Sequence, residues 1–124
     1  MTAKPTQPST PDEPFVLVIG EALMDLVVQH DAEADEAAAV PGGSPANVAL
    51  ALGRLGVPVE LVTWIGKDTL GTAIHEHLGD SGVIVREPSL AADKTSTAIA
   101  KLDKLGAATY VFDVEWAPEP LQDF

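Results

Sequence analysis

Phe15-Val16-Leu17-Val18-Ile19 is an unbroken apolar run closed by Gly20. Continuous rather than alternating apolarity marks a strand covered on both faces, as in a parallel sheet, so a strand is predicted over 15–20. Residues 24–28 extend as a second short strand. Residues 31–36 are acidic, small and unpatterned and read as an exposed loop. Helical spacing then takes over: Val48, Leu52 and Leu55 are four and three apart and share one face. Ser44 suits the N-cap and Pro45 the first helical position, and Gly56 is placed to stop the helix in the left-handed conformation. Residues 58–65, bounded by Gly66, predict another strand. Asp68 predicts the cap of a helix over 69–80 with Leu70, Ile74 and Leu78 on one stripe. Gly82 ends that helix, and Val83-Ile84-Val85 returns as a strand. Strand, helix, strand, helix, strand predicts an α/β fold with a parallel sheet.

The pattern changes over the last third. Residues 95–102 alternate β-formers with small and polar residues, 103–106 form a turn, and 107–114 are a second β run, which together predict an antiparallel hairpin. By residue 85 the chain has made only two crossover units, where a doubly wound sheet usually continues. The chain therefore reads either as a very small domain or as part of something longer. Residues 1–14 carry Pro5, Pro8, Pro11 and Pro14 among Thr, Ser, Gln and Asp, and read as a solvated, disordered tail.

Composition narrows the function classes. Seven Lys+Arg against 19 Asp+Glu give the 124-residue chain a formal charge of −12. Nucleic acid and anionic lipid are bound mainly by clustered cations, so neither is an expected partner. The chain has no cysteine, which excludes disulfide scaffolds, thiolate metal sites and thiol nucleophiles. No apolar run approaches the ~20 residues of a membrane helix, and the start lacks the pattern of a signal peptide. A cytoplasmic location is the expectation. His75 and His77, two apart on a helix, point in different directions and do not suit a shared metal. Lys67 reads as a turn residue and Trp64 as core, while Trp116 is placed near the mouth of a site. Neither GxxxxGK[ST] nor a GxGxxG after the first strand is present.

The candidate chemistry lies at residues 41–47. Gly42 and Gly43 precede a helix start, where backbone N–H groups are free and the dipole is positive. Asn47 in the first turn offers both a donor and an acceptor, an arrangement suited to a neutral polyol. Gly42-Gly43-x-Pro45-x-Asn47-x-Ala49, then six residues to Gly56 and nine to Gly66, resembles the N-terminal signature of the ribokinase/PfkB family of carbohydrate kinases. Gly20-Glu21-x-Leu23-x-Asp25 is similar to the first-strand motif of its fructokinase-like members, and Gly66-x-Asp68-x-x-Gly71 to the segment that follows the signature. The resemblance runs from about Phe15 to Pro118.

The resemblance implies a ribokinase-like fold: a parallel sheet with flanking helices and a small antiparallel β lid, over 15–124, with lid strands about 24–29 and 95–114. It implies that Asp25, Gly42, Gly43 and Asn47 bind a small-molecule sugar, with Asp25 at the C-terminal end of a strand, where open α/β sheets take their ligands. It implies ATP and Mg2+ as the cofactors of a full-length member, and a lid through which a homodimer would form. The family's Gly-Ala-Gly-Asp motif, with its catalytic Asp, and its magnesium-linked Asn-x-x-Glu motif are not in this sequence. No catalytic residue and no metal ligand is therefore assigned here, and ATP is not expected to bind the chain alone. The expected function is the sugar-binding N-terminal part of a fructokinase-like sugar kinase. The alternatives are a non-catalytic sugar-binding or structural remnant, and a nucleoside or 2-keto-3-deoxygluconate kinase. The hairpin is expected to pack away from the α/β part, dividing the core and leaving an unpaired strand edge.

Overall fold

The computed structural model describes residues 13–31 and 37–118. The tail up to residue 12 and most of the 31–36 loop lie outside the described residues. The elements in chain order are β1 (Val16–Ile19), β2 (Leu23–Val28), β3 (Ala38–Gly42), α1 (Ser44–Arg54), β4 (Val59–Val62), α2 (Thr69–Asp80), β5 (Val83–Val85), a 3-10 turn (Glu87–Leu90), β6 (Thr97–Leu102) and β7 (Ala108–Asp113).

Two sheets result. The first is wholly parallel, in the order β1-β4-β5, with Val16 opposite Val59 and Val59 opposite Val83. The second is ordered β3-β2-β6-β7. It is antiparallel except at its centre, where β2 and β6 run parallel with Met24 opposite Thr97. The second sheet thus interrupts the first crossover: the chain leaves β1, builds β2 and β3, and only then enters α1. The fold is α/β with a parallel sheet, as the run pattern predicts, and the late hairpin forms as expected.

Strand β3, which includes Pro41, is not anticipated by the sequence pattern. It lies at the edge of its sheet, where a residue without an N–H leaves no ladder bond broken on its outer side.

Helix α2 follows its sequence signals closely. Asp68 is the N-cap and accepts a hydrogen bond from the Gly71 amide, and Ile74 and Leu78 are buried with Leu70 half-buried. Helix α1 departs from them at both its start and its face. Its N-cap is Gly43, with Ser44 and Pro45 already inside the helix and no side-chain cap bond. Its buried residues are Ala46, Ala49 and Gly53, while Val48 and Leu55 are 54% and 78% exposed. A Cβ at Gly53 would collide with the carbonyl of Ser81, so the small face lets α1 come close to the end of α2. The C-terminus is as expected. Gly56 has φ of 81°, its N–H bonds to Gly53 O at 3.0 Å, and that of Val57 bonds to Leu52 O at 3.1 Å, which is the paired Schellman arrangement.

The core is not divided. One buried cluster joins Ala46 and Ala49 of α1, Val59 and Leu61 of β4, Ile74 and Leu78 of α2, and Val83 and Val85 of β5 to Ala22 and Met24 at the start of the second sheet. Met24 and Val28 of β2 are buried on the face opposite Asp25. Only the outer hairpin extends away: every residue of β7 is exposed. An edge is left unpaired on β1, whose Val16 and Ile19 are 39% and 51% exposed.

Candidate functional site

Asp25 is the third residue of β2. This corrects the expectation of a strand end in the parallel sheet: at Gly20 the chain has left that sheet, and Asp25 already belongs to the second one. Register places it opposite Val40 on β3 and Ala98 on β6, with Leu23 opposite Gly42. Residues opposite one another share a face, as do residues two apart along a strand. Asp25 and Gly42 therefore stand on the same side, and the Oδ2 of Asp25 lies directly over the Gly42 Cα, where any Cβ would sit. Gly42 thus makes room for the carboxylate.

Gly43 follows with φ of 98°, a conformation L side chains rarely adopt, and an added Cβ would lie 2.8 Å from the Glu21 carbonyl and 3.1 Å from Ala22 Cα. It is the N-cap of α1, and its own carbonyl accepts from Asn47 N at 2.9 Å. No side chain caps the start of α1, and Pro45 leaves the Ser44 and Ala46 amides as the donors of its opening residues. Asn47 is exposed one turn into the helix. The structure brings together Asp25, Gly42 and Gly43, and ties Asn47 to them through its backbone. Asp25 is half-buried and Gly42 buried.

A cleft of about 360 Å³ adjoins this corner, lined by Gly20, Glu21, Pro45, Val114 and Trp116. Val114 and Trp116 reach it from the segment that follows β7. Ala98 lies opposite both Asp25 and Phe112, so Phe112 is on the Asp25 face. Tyr110, two residues before it, is stacked on Phe112 at 6.0 Å between ring centroids. Trp116 is half-exposed and Phe112 is 66% exposed. The corner therefore combines a carboxylate acceptor, helix N-terminal donors and an aromatic wall. These are complementary to a ligand with several hydroxyls and an apolar C–H face.

Asp68 does more than cap α2. Its Oδ1 accepts from Gly71 N at 2.8 Å and from the Thr95 hydroxyl at 2.6 Å, and its Oδ2 from Thr95 N at 2.8 Å. Burial alone would raise its pKa, but the Thr95 hydroxyl and the Gly71 and Thr95 amides outweigh it and hold the carboxyl below its ordinary value. Thr95, itself buried, also accepts from Gly66 N at 3.0 Å. Cap spacing reveals Asp68, but its partnership with Thr95, 27 residues on, leaves no local signal.

The remaining candidates fall out of the site. Lys67 and His75 are exposed, His77 and Trp64 half-buried. Lys67 borders a separate open hollow with Glu87, Pro88 and Leu90. Among the described residues no group of three or more His, Asp and Glu side chains is placed to hold a metal ion, and no helix is long and apolar enough to cross a membrane.

Residues 13–118 match the pfkB family carbohydrate kinase profile. The chain belongs to this family of carbohydrate kinases. A fructokinase from Klebsiella pneumoniae is 33% identical over 116 residues, covering 88% of this chain and 37% of that protein. A ribokinase from Bacillus subtilis is 43% identical over 76 residues, 55% of this chain and 26% of that one. The crystal structure of a Xylella fastidiosa fructokinase with bound ATP superposes with a TM-score of 0.66 at 30% identity, over 79% of this chain and 32% of that one. The chain spans about a third of the length of the curated relatives it matches.

Proposed function

We propose that the chain forms the sugar-binding part of an ATP-dependent sugar kinase of the fructokinase type. The observation that carries this reading is the Asp25 carboxylate seated over Gly42 beside the uncapped start of α1. In this reading the carboxylate accepts hydrogen bonds from two sugar hydroxyls, and the α1 amides and the Asn47 amide group satisfy a sugar oxygen and a further hydroxyl. The second sheet, including the β6–β7 hairpin, acts as the lid that orients the sugar and excludes water. Phosphoryl transfer to the sugar hydroxyl would use ATP, which the family and the ATP-bound relative support, together with Mg2+ as the resemblance implies. The described residues offer no ligand set for that ion, and no step through it is assigned to this chain.

The test is calorimetric titration of the chain with fructose, glucose, ribose and adenosine. Binding of fructose that Asp25→Ala weakens by about ten-fold or more, as expected for stranded buried hydroxyls, supports the reading. Binding of adenosine in preference to the sugars would move the substrate class to nucleosides. Sugar binding indifferent to Asp25 would overturn the site.

A further inference from the structure

The spacing Gly66-x-Asp68-x-x-Gly71 has no role in the sugar site just described, yet the structure builds a complete polar joint around it. The second sheet is attached to the α/β unit by three chain crossings. Two of them, residues 20–22 and 43–45, lie against one another: the space around Gly43 is closed by Glu21 and Ala22, and that around Gly20 by Pro45. They act together as a single point of attachment. The third crossing enters β6 at Thr95, and there the Asp68 carboxylate and the Thr95 hydroxyl link the exit of β4, the first turn of α2 and the entry to β6.

Both glycines make this joint possible. A Cβ on Gly71 would overlap Gly66 O and lie 2.6 Å from the Thr95 hydroxyl, and one on Gly66 would lie 3.0 Å from Asp68 Oδ2 and 3.2 Å from Thr95 N. Neighbouring residues extend the joint into the second sheet. The Ser96 hydroxyl accepts from Glu115 N at 3.0 Å, Ser96 O accepts from Met24 N at 3.0 Å, and Lys94 Nζ bonds Asp113 Oδ2 at 2.6 Å.

We propose that Asp68 and Thr95 are positioning residues: they form the joint that fixes the second sheet on the α/β unit, and so hold Asp25 and Trp116 at the start of α1. Ala22 and Met24 anchor the second sheet through the common core on the β2 side, and the polar joint fixes it on the β6 side. This rests on the sugar-site reading only in what the joint is for, and its existence is tested without any sugar.

The test compares amide hydrogen exchange, strand by strand, in the full chain and in Asp68→Asn, Thr95→Val and Thr95→Ser. Asn is as good an N-cap as Asp but presents an NH2 group where an acceptor is needed, so Asp68→Asn separates the joint from the cap. The expected result is exchange about ten-fold faster or more in β2, β3, β6 and β7, the effect of one charge-assisted hydrogen bond. Strand β4 and helix α2 should stay unchanged, and Thr95→Ser should behave as wild type. If Thr95→Val does not fold, Asp68→Asn decides. Acceleration spread equally over both sheets, confined to the first turn of α2, or absent would overturn the proposal. A fructose titration of the same proteins is read separately. Failure of the wild type to bind any sugar sinks the site reading and leaves the exchange result standing.

Discussion

Asp25 and Gly42 form a matched pair, and the match can be tested from either side. Gly42 carries no left-handed strain and is closed to a side chain only by the Asp25 carboxylate. Gly42→Ala should therefore leave the fold intact, displace the carboxylate, and weaken fructose binding about as much as Asp25→Ala does, on the order of ten-fold. Calorimetry beside circular dichroism checks both halves, and unaltered affinity in Gly42→Ala would show that the carboxylate need not lie there. Asp68 gives a second expectation. Its folded pKa is depressed, so its contribution to stability is present above the unfolded value and lost as pH falls from about 4 through the folded pKa. The melting temperature of the wild type should drop more steeply below about pH 4 than that of Asp68→Asn. Equal slopes would show that the three bonds add nothing net. At this scale the sequence displays the Gly-Gly pair, Asn47 and the Asp68 cap, because each is a local signal. It hides Thr95 and the strand-interior setting of Asp25, because those depend on pairing between distant segments.

The two helices differ in how much of them the sequence reveals, and the reason is packing. In α2 the apolar stripe is the buried stripe. In α1 the spacing of Val48, Leu52 and Leu55 is helical, but the face that meets the sheet is the row of Ala46, Ala49 and Gly53. Close approach to α2 and β5 selects small residues there, and of the apolar stripe Leu52 packs half-buried against the core while Val48 and Leu55 face outward. Val48→Lys and Leu55→Lys should accordingly cost less than about 0.5 kcal/mol each, the usual range for surface changes, whereas Ala49→Leu, at a site with 0% exposure, should cost about 1–3 kcal/mol through overpacking. Urea denaturation distinguishes the two sets, and the reverse order would restore the large-residue face as the core. Gly56→Ala meets no atom within 4 Å but keeps φ of 81°, so its cost is that of the left-handed backbone alone, about 1 kcal/mol.

Among the described residues, exposed apolar side chains include Val16 and Ile19 on the free edge of β1, Val48 and Leu55 on the outer side of α1, and Tyr110, Val111, Phe112, Val114 and Trp116 on and after β7. Unpaired edges and apolar patches of this kind promote association. The sedimentation coefficient of the 124-residue chain should rise with concentration, and Phe112→Lys should reduce that rise; an invariant monomer would contradict it. Supplied with ATP, Mg2+ and fructose, the chain should yield no sugar phosphate by phosphorus NMR, since its sequence holds no Gly-Ala-Gly-Asp segment. Turnover by the purified chain would show that another group can deprotonate the sugar.

The parallel pairing of β2 with β6 also dictates an order of events. Met24 is made early and Thr97 late, with the whole β4-α2-β5 segment between them. The β2–β3 hairpin can close as soon as it is synthesised, but a lone hairpin is marginal in water, and its partner strand arrives only after a long loop has been closed. The rate-limiting barrier of folding should therefore be crossed with β1, β4, β5 and the two helices already in place and the β2–β6 ladder still open. Ala98→Gly, at the centre of β6, should speed unfolding and leave the refolding rate almost unchanged, whereas Leu61→Ala in β4 should slow refolding.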